Sequence, residues 1–535
     1  MAEWWRGSVT YQVYPRSFQD SDGDGIGDLA GITARLPHLA GLGVEAVWLS
    51  PVFRSPMADM GYDVSDYTDV DPLFGDLAAF DAMVARAHDL GLKVIIDQVI
   101  SHSSDQHPFF KDSRTSRDAA HADWYVWADA QADGSPPNNW LSVFGGSAWE
   151  WDSRRRQYYL HNFLPSQPDF NFHNPAVQEW LLSVLRLWLD RGVDGFRLDT
   201  VNYYFHDAAL RPNGPMPPKE KWPPVNPYEM QDHRFSKSRP ENLDWLQKMR
   251  ALTDAYPDRT MVGEVGDAPW RNVQIMADYT RPGRLHMAYS FDMLEPEFTA
   301  AHFRDKIEGF FQGAPDGWPM WAFSNHDVIR HASRWAEHGT PDAVAKLAAV
   351  MLLSFEGSIC LYQGEELGQV ETDIAFDELT DPPGLRFWPD YKGRDGCRTP
   401  MVWDATAQGG FTTGTPWLPV KPAQLARNAA AQDGVAGSVL EFYREMLAFR
   451  RATPALRAGR TRFFDVPEPV LAFARGDALA CVFNLSPRPV TLAATGAMLD
   501  AAPRHAAHLE AGRLVLGPNG FAFLQAKGGL TVSSV

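Results

Sequence analysis

Short apolar runs alternate with stretches of helical spacing through the first hundred residues of this chain. Residues 9–14 form an apolar run that stops at a proline. Residues 32–42 carry their apolar positions at helical spacing, and 46–49 form a second run, stopped by Pro51. Residues 80–90 then read as a helix and 91–97 as a third strand. Near-continuous apolar strands separated by helices predict a parallel sheet covered on both faces. From about 101 to 175 the pattern breaks into a segment rich in His, Asn, Pro, Ser and Trp. Structureless loops of that length are uncommon, so an inserted subdomain is expected there. The alternation then returns, with a helix over 177–190, a fourth strand at 195–198, a Pro-rich excursion over 203–240 and a helix over 243–256. A fifth strand follows at 260–263, a sixth at 287–291, a seventh at 321–324 and an eighth at 358–362, before a second excursion over 369–419. Eight strands with intervening helices predict an α/β fold, a (β/α)8 TIM barrel. Helical signals vanish after 456, where 462–464, 470–474, 478–483 and 521–524 predict a small antiparallel β-domain. The expected organisation is a barrel over 1–100 and 176–455, an inserted subdomain over 101–175 and a C-terminal β-domain over 456–535.

Three acidic residues sit at the ends of apolar runs, each in its own signature. They are Asp199 in Asp194-Gly-Phe-Arg-Leu-Asp199, Glu264 in Met261-Val-Gly-Glu264, and Asp327 in Asn325-His326-Asp327. Their spacings of 65 and 63 residues exclude a meeting through one helix or turn. A barrel brings the C-terminal ends of its strands to one face, where such folds do their chemistry. Two carboxylates flanking a glycosidic bond are the minimum equipment for sugar hydrolysis, and a retaining mechanism places them about 5–5.5 Å apart. Arg197 lies two residues before Asp199 on the same strand, hence on the same side, where it can keep Asp199 ionised. His102, after the third strand, and Asp59 and Tyr62, after the second, fall on the same rim.

A separate loop, Asp20-Ser-Asp22-Gly-Asp24-Gly-Ile26-Gly-Asp28, alternates carboxylates with glycines. This suits a hard cation, calcium or magnesium, held by Asp20, Asp22, Asp24, Asp28 and the carbonyl of Ile26 in a structural role. The loop follows an EF-hand pattern to its ninth position and departs from it at the twelfth, where Gly31 replaces the usual glutamate.

Composition narrows the field. The chain has 49 basic and 67 acidic residues, a net charge of −18, which argues against nucleic acid or an anionic membrane as partner. The three cysteines, Cys360, Cys397 and Cys481, form neither a metal pattern nor a disulfide framework, which fits a reducing, cytoplasmic setting. No secretory leader and no membrane-spanning run is recognisable.

The motifs together resemble the α-amylase superfamily of glycoside hydrolases (family 13), in its α-glucosidase and oligo-1,6-glucosidase branch. The matching segments are Asp97-Gln-Val-Ile-Ser-His102, Gly195-Phe-Arg-Leu-Asp199, Gly263-Glu264-Val and Ser324-Asn-His-Asp327, with Gln167-Pro-Asp-Phe-Asn171 marking the branch. The resemblance covers essentially the whole chain. It implies Asp199 as nucleophile, Glu264 as acid/base and Asp327 as transition-state stabiliser. It implies that Asp59, Tyr62, His102, Arg197, His326 and Arg398 hold the glucose unit, and that Phe144, Phe163 and Gln167 line the mouth. Ser101 departs from the family pattern, which has Asn before the histidine. Thr200, directly after the nucleophile, falls beside the site of the second sugar. Members that cut α-1,6 bonds tend to carry Val there, so Thr200 points to α-1,4 bonds, and its hydroxyl is a candidate contact to the second sugar.

The expected activity is a retaining, exo-acting α-glucosidase taking glucose from short oligosaccharides such as maltose, with no organic cofactor and working as a monomer or homodimer. The 203–240 excursion is expected to shorten the cleft. A transglucosylase and a sucrose- or isomaltose-directed enzyme share the fold. A non-catalytic member of the transporter-associated type would lack the acids and carry a membrane span, and a carbohydrate-binding module needs no acids; both are disfavoured here.

Overall fold

A computed structural model describes residues 3–218, 222–526 and 529–534. Eight parallel strands form the central sheet: β1 (Val9–Val13), β2 (Ala46–Leu49), β3 (Lys93–Gln98), β4 (Gly195–Leu198), β5 (Thr260–Val265), β6 (Met287–Ser290), β7 (Met320–Ala322) and β8 (Ser358–Tyr362). They pair in the order β6-β5-β4-β3-β2-β1-β8-β7. A parallel bridge between Ala288 and Pro319 joins the two ends, so the sheet closes into a barrel.

One helix follows each strand in turn: α1 (Leu29–Leu42), α2 (Leu77–Asp89), α3 (Pro175–Asp190), α4 (Asn242–Asp254), α5 (Asn272–Tyr279), α6 (Ala300–Gly313), α7 (Pro341–Leu352) and α8 (Val439–Ala452). The first three start two or three residues before their apolar periodicity begins. Their first turns are fixed by caps instead: Asp28 accepts from the Gly31 amide, Asp76 from that of Ala79, and Asn174 from that of Ala176 with Pro175 opening the helix.

The strands are buried on both faces, and alternate residues divide between two cores. Ala46, Trp48, Ile95, Val262, Met287, Tyr289, Met320, Ala322 and Cys360 form one buried cluster. The intervening Val47, Leu49, Val94, Ile96, Phe196, Leu198, Met261, Trp321, Ile359 and Leu361 belong to the large core shared with the helices. The two sets follow the period of two along each strand and separate the barrel interior from its outer layer. In β4 the position on the interior side is Arg197, a buried cation that lies over the Trp48 ring.

Among the described residues, two further sheets have three or more strands. Within 101–175, strands Trp127–Ala128, Trp149–Asp152 and Gln157–Leu160 form a small antiparallel sheet over Val126, Trp140, Ala148 and Leu160. After α8, antiparallel strands between Thr461 and Ser534 form a second sheet. One of its faces, with Phe473, Phe483, Phe521 and Phe523, joins the barrel core, where Phe442 and Phe449 of α8 meet Phe521 and Phe523. The other face carries Val470, Ala472, Val482 and Leu524. Among the described residues no helix is long and apolar enough to cross a membrane.

Candidate active site

The register of two neighbouring strands builds the centre of the site. Leu198 of β4 pairs with Gly263 of β5, so Asp199 and Glu264, one step further along each chain, emerge side by side at the C-terminal rim. Glycine fits closely at 263, because a Cβ there would crowd the side chains of Leu285 at 2.5 Å and Val201 at 2.9 Å and force them to shift. Arg197, two residues before Asp199, serves both carboxylates. Its Nη1 donates to Asp199 Oδ1 at 2.5 Å and to Asp97 Oδ1 at 2.9 Å. Its Nη2 lies 2.5 Å from Glu264 Oε1 as an ion pair and donates to the Tyr289 hydroxyl at 2.9 Å. That hydroxyl donates in turn to Glu264 Oε1 at 2.7 Å, and the Thr200 amide donates to Oε2 at 3.1 Å.

Three buried carboxylates thus surround one guanidinium. Burial pushes the titration of Asp97, Asp199 and Glu264 upward, and the charge of Arg197 opposes it at each. One cation cannot neutralise three anions, so the cluster binds a proton more readily than isolated carboxyls do. Asp327 behaves in the opposite way. Burial would raise its carboxyl, but His326, Arg394 and Arg398 hold it well below the usual carboxylate range. Burial keeps the His326 ring neutral, so the two guanidiniums are the lasting source of that field. The ring is fixed between Tyr62, stacked at 5.2 Å, and Tyr14 at 5.6 Å, with Gln12 2.7 Å from its Nδ1.

These groups form the floor of a cavity of about 930 Å³ lined by Asp59, Tyr62, His102, Asp199, Thr200, Glu264, His326, Asp327 and Arg394. Its outer part is apolar and aromatic, with Phe144, Phe163, Tyr203, Tyr228, Phe291, Phe387 and Tyr391. The volume is that of a small-molecule site. One wall of the cavity is an ion pair, Arg394 Nη2 to Asp59 Oδ1 at 2.8 Å. The same guanidinium donates to Asp327 at 3.2 Å and to Asp381 at 2.7 Å.

Four residues expected at the site stand elsewhere or differently. Arg398 does not line the cavity. It is fully buried, donating from Nε to the His326 carbonyl at 2.7 Å and from Nη2 to Asp327 at 3.0 Å. Arg394, four residues earlier, is the cavity arginine. Gln167 is likewise buried below the mouth rather than on it; its amide donates to Asp59 at 3.0 Å and to the Tyr62 carbonyl at 3.2 Å. The Thr200 hydroxyl is engaged within the protein, 3.0 Å from Ser101 Oγ and 3.3 Å from Asp199 Oδ2. Arg197 lies under the cavity floor, 1% exposed, and meets the carboxylates rather than the space a sugar would fill. The sequence reading also passed over Tyr289, Asp381 and the structural role of Asp97. Asp97 opens a motif that ends on His102, which was a usable signal; Tyr289 and Asp381 stand in no acidic or histidine signature.

In the Asp/Gly loop, carboxylate oxygens of Asp20, Asp22 and Asp28 lie within 4.8 Å of one another and fit a cation. Asp24, expected as a ligand, is outside that group and accepts from the Ile26 amide at 2.8 Å. Asp20 and Asp28 also accept several loop hydrogen bonds, and Asp28 caps α1.

The chain belongs to the α-amylase family: the family's model, described as alpha amylase, catalytic domain, matches residues 12–459. It is 56% identical over 499 residues to a probable alpha-glucosidase of Rhizobium meliloti (strain 1021), a match spanning 91% of this chain and 90% of the relative. Among solved structures, the alpha-glucosyl transfer enzyme XgtA is 50% identical with a TM-score of 0.96, covering 98% of this chain and all of its own. The trehalulose synthase MutB from Pseudomonas mesoacidophila MX-45 is 35% identical with a TM-score of 0.87, at the same coverage. Fold, family and the clustered acids make this chain a glycoside hydrolase.

Proposed function

We propose that the protein is a retaining, exo-acting α-glucosidase that removes terminal α-1,4-linked glucose from short substrates such as maltose. One observation carries the reading: Arg197 holds Asp199 and Glu264 together at the floor of a pocket with the Asp59–Arg394 pair in its wall. A terminal glucose seated between acids and wall presents its anomeric carbon to Asp199, and the wall stops a chain from threading past.

Arg197 contacts both carboxyls, and the cluster holds a proton that the two can share. In the reactive state Asp199 is the ionised partner and Glu264 the protonated one, the assignment a retaining mechanism requires. An Asp199 oxygen attacks the anomeric carbon, the glycosidic bond breaks, and the Glu264 proton goes to the leaving oxygen. Glu264, now ionised, takes a proton from water, whose oxygen attacks the same carbon and frees Asp199. A sugar or other alcohol in the place of that water gives transglucosylation, which the likeness to a glucosyl transfer enzyme supports as a companion reaction. Asp327, kept anionic by its arginines, stabilises the positive charge that develops on the sugar ring.

The preference for short substrates rests on the 203–240 excursion, of which 219–221 lie outside the described residues. Lys237 Nζ donates to the hydroxyls of Tyr203, at 2.9 Å, and Tyr228, at 2.8 Å, and Asn226 Nδ2 donates to the Val143 carbonyl at 2.7 Å. These bonds fix aromatic rings over the outer cavity, where a third sugar would pass. A structural calcium or magnesium at Asp20, Asp22 and Asp28, tying the β1–α1 loop, belongs to the same proposal. The buried, unpaired cysteines support a reducing, cytoplasmic setting.

A comparison of kcat/KM for maltose, isomaltose, sucrose and maltohexaose tests the reading. Maltose should lead. A preference for isomaltose or sucrose removes the linkage assignment, and a preference for maltohexaose removes the short cleft.

A further inference from the structure

Ser101 sits between two elements of the catalytic centre without lining the cavity. Its Oγ is 2.9 Å from His102 Nδ1 and 3.0 Å from Thr200 Oγ1. His102 Nε2 is 2.9 Å from the Tyr62 carbonyl. The Gln167 amide nitrogen also lies 3.2 Å from Nε2, but its two protons have acceptors in Asp59 and the Tyr62 carbonyl. The nearer carbonyl only accepts, so the imidazole proton is on Nε2 and Nδ1 is an acceptor. The Ser101 proton is thereby committed to Nδ1, and toward Thr200 the Ser101 oxygen can only accept. The Thr200 hydroxyl proton therefore has two acceptors, Ser101 Oγ at 3.0 Å and Asp199 Oδ2 at 3.3 Å.

Thr200 is held in an unusual state. Its φ is +41°, a left-handed conformation that β-branched residues rarely adopt. Its amide donates to Glu264 Oε2 at 3.1 Å while its hydroxyl stands between Ser101 and Asp199. The residue thus touches both catalytic carboxylates, Glu264 through its backbone amide and Asp199 through its hydroxyl, and a rotation about its Cα–Cβ bond changes only what it offers Asp199 and Ser101. Strain of this kind persists only where surrounding contacts over-determine it.

We propose that Ser101 is a positioning residue that acts through Thr200. It is the alternative acceptor that takes the Thr200 hydroxyl bond when Asp199 gives up its charge to the sugar. With Asp199 ionised, its carboxylate is the stronger acceptor and shares the Thr200 proton. Once an Asp199 oxygen is bonded to the anomeric carbon, the group is an ester, a weaker acceptor. Ser101 then satisfies the Thr200 hydroxyl without a change of rotamer, while the Thr200 backbone amide remains on Glu264 as that residue turns from acid to base. A hydroxyl occupied in this way is not free for the second sugar. Thr200 discriminates linkage by its bulk and fixed rotamer, and Ser101 fixes that rotamer. This inference rests on the α-glucosidase reading.

A double-mutant cycle tests it, with kcat and KM measured separately on an aryl α-glucoside, maltose and isomaltose. The proteins are wild type, Ser101→Ala, Thr200→Val and Ser101→Ala/Thr200→Val. Turnover by wild type checks the underlying reading on its own, and the cycle is read as ratios to it. Ser101→Ala should lower kcat about five- to ten-fold with KM changed little, the loss of one hydrogen bond between neutral groups. It should also shift the maltose to isomaltose ratio. In the Thr200→Val background the same change should have less than about a two-fold effect, because the partner hydroxyl is gone. An equal loss in both backgrounds shows that Ser101 acts through His102 alone and overturns the proposal, as does an unaffected kcat. Should Ser101→Ala fold poorly, Thr200→Ser, which keeps the hydroxyl and loses the methyl, serves instead. It should retain the sensitivity to Ser101→Cys that Thr200→Val loses, and equal sensitivity in the two backgrounds overturns the proposal.

Discussion

Arg394 and Asp59 meet in the wall of the cavity, Nη2 to Oδ1 at 2.8 Å, although 335 residues separate them in the chain. One comes from the loop after β2 and the other from the excursion after β8. Their pairing closes the pocket behind the first sugar. It also places a cation at 3.2 Å from Asp327, which keeps that carboxylate ionised.

Removing Arg394 leaves Asp59 and Asp381 buried and short of a counter-charge, since both are buried side chains that accept from its guanidinium. Arg394→Ala should therefore lose about 3 kcal/mol of stability. It should also raise KM for maltose and for an aryl α-glucoside by similar factors, because the lost wall faces the terminal glucose that both substrates share. Thermal melts and the two KM values check this. An unchanged melting temperature would show that Arg394 is not the counter-ion it is taken for here.

Asp199→Ala and Glu264→Gln should each abolish maltose hydrolysis, a loss of at least about 10⁴-fold for either, with melting behaviour retained. An activated aryl glucoside separates them. Its leaving group needs little protonation, so Glu264→Gln should form the glycosyl-enzyme and accumulate it, giving a burst of aryl alcohol. Asp199→Ala should give no burst. Burst kinetics in both variants would place the nucleophile elsewhere.

The pH profile follows from the shared cation. Activity needs Asp199 ionised, so it falls as pH drops through that titration. It also needs Glu264 protonated, so it falls again as pH rises through the second. Burial raises both, which puts the acid limb of kcat/KM above the ordinary aspartate range. Arg197→Gln removes the opposing charge, and in the surviving activity the acid limb should move upward by about one pH unit or more. A downward move contradicts the assignment of Arg197 as the group that keeps Asp199 ionised.

Loading with calcium should raise the melting temperature, and chelation should lower it, if a cation joins Asp20, Asp22 and Asp28. Asp22→Ala should abolish that difference, whereas Asp24→Ala, outside the cluster, should preserve it. Identical melts with calcium and with chelator would remove the proposed ion.

The barrel was legible because its strands are buried on both faces and read as apolar runs, and because Asp199, Glu264 and Asp327 each close such a run. Helix starts were less so, since Asp28, Asp76 and Asn174 hold first turns that carry no apolar period. Arg394 was hidden by its surroundings. It lies four residues from Arg398 in an irregular excursion, and only the folded distance to Asp59 selects between them. The Thr200 backbone was hidden too, because a positive φ at a β-branched residue is imposed by its neighbours and runs against local preference.

The stereochemistry of the first product reports most directly on Asp199 as a covalent nucleophile. Two displacements at one carbon, by Asp199 and then by water, return the anomeric centre to its starting configuration. Proton NMR during the first minutes of maltose hydrolysis, before mutarotation mixes the anomers, should show the glucose cleaved from the non-reducing end appearing as the α-anomer. Its first appearance as the β-anomer would mean a single displacement by water, and would contradict a covalent role for Asp199.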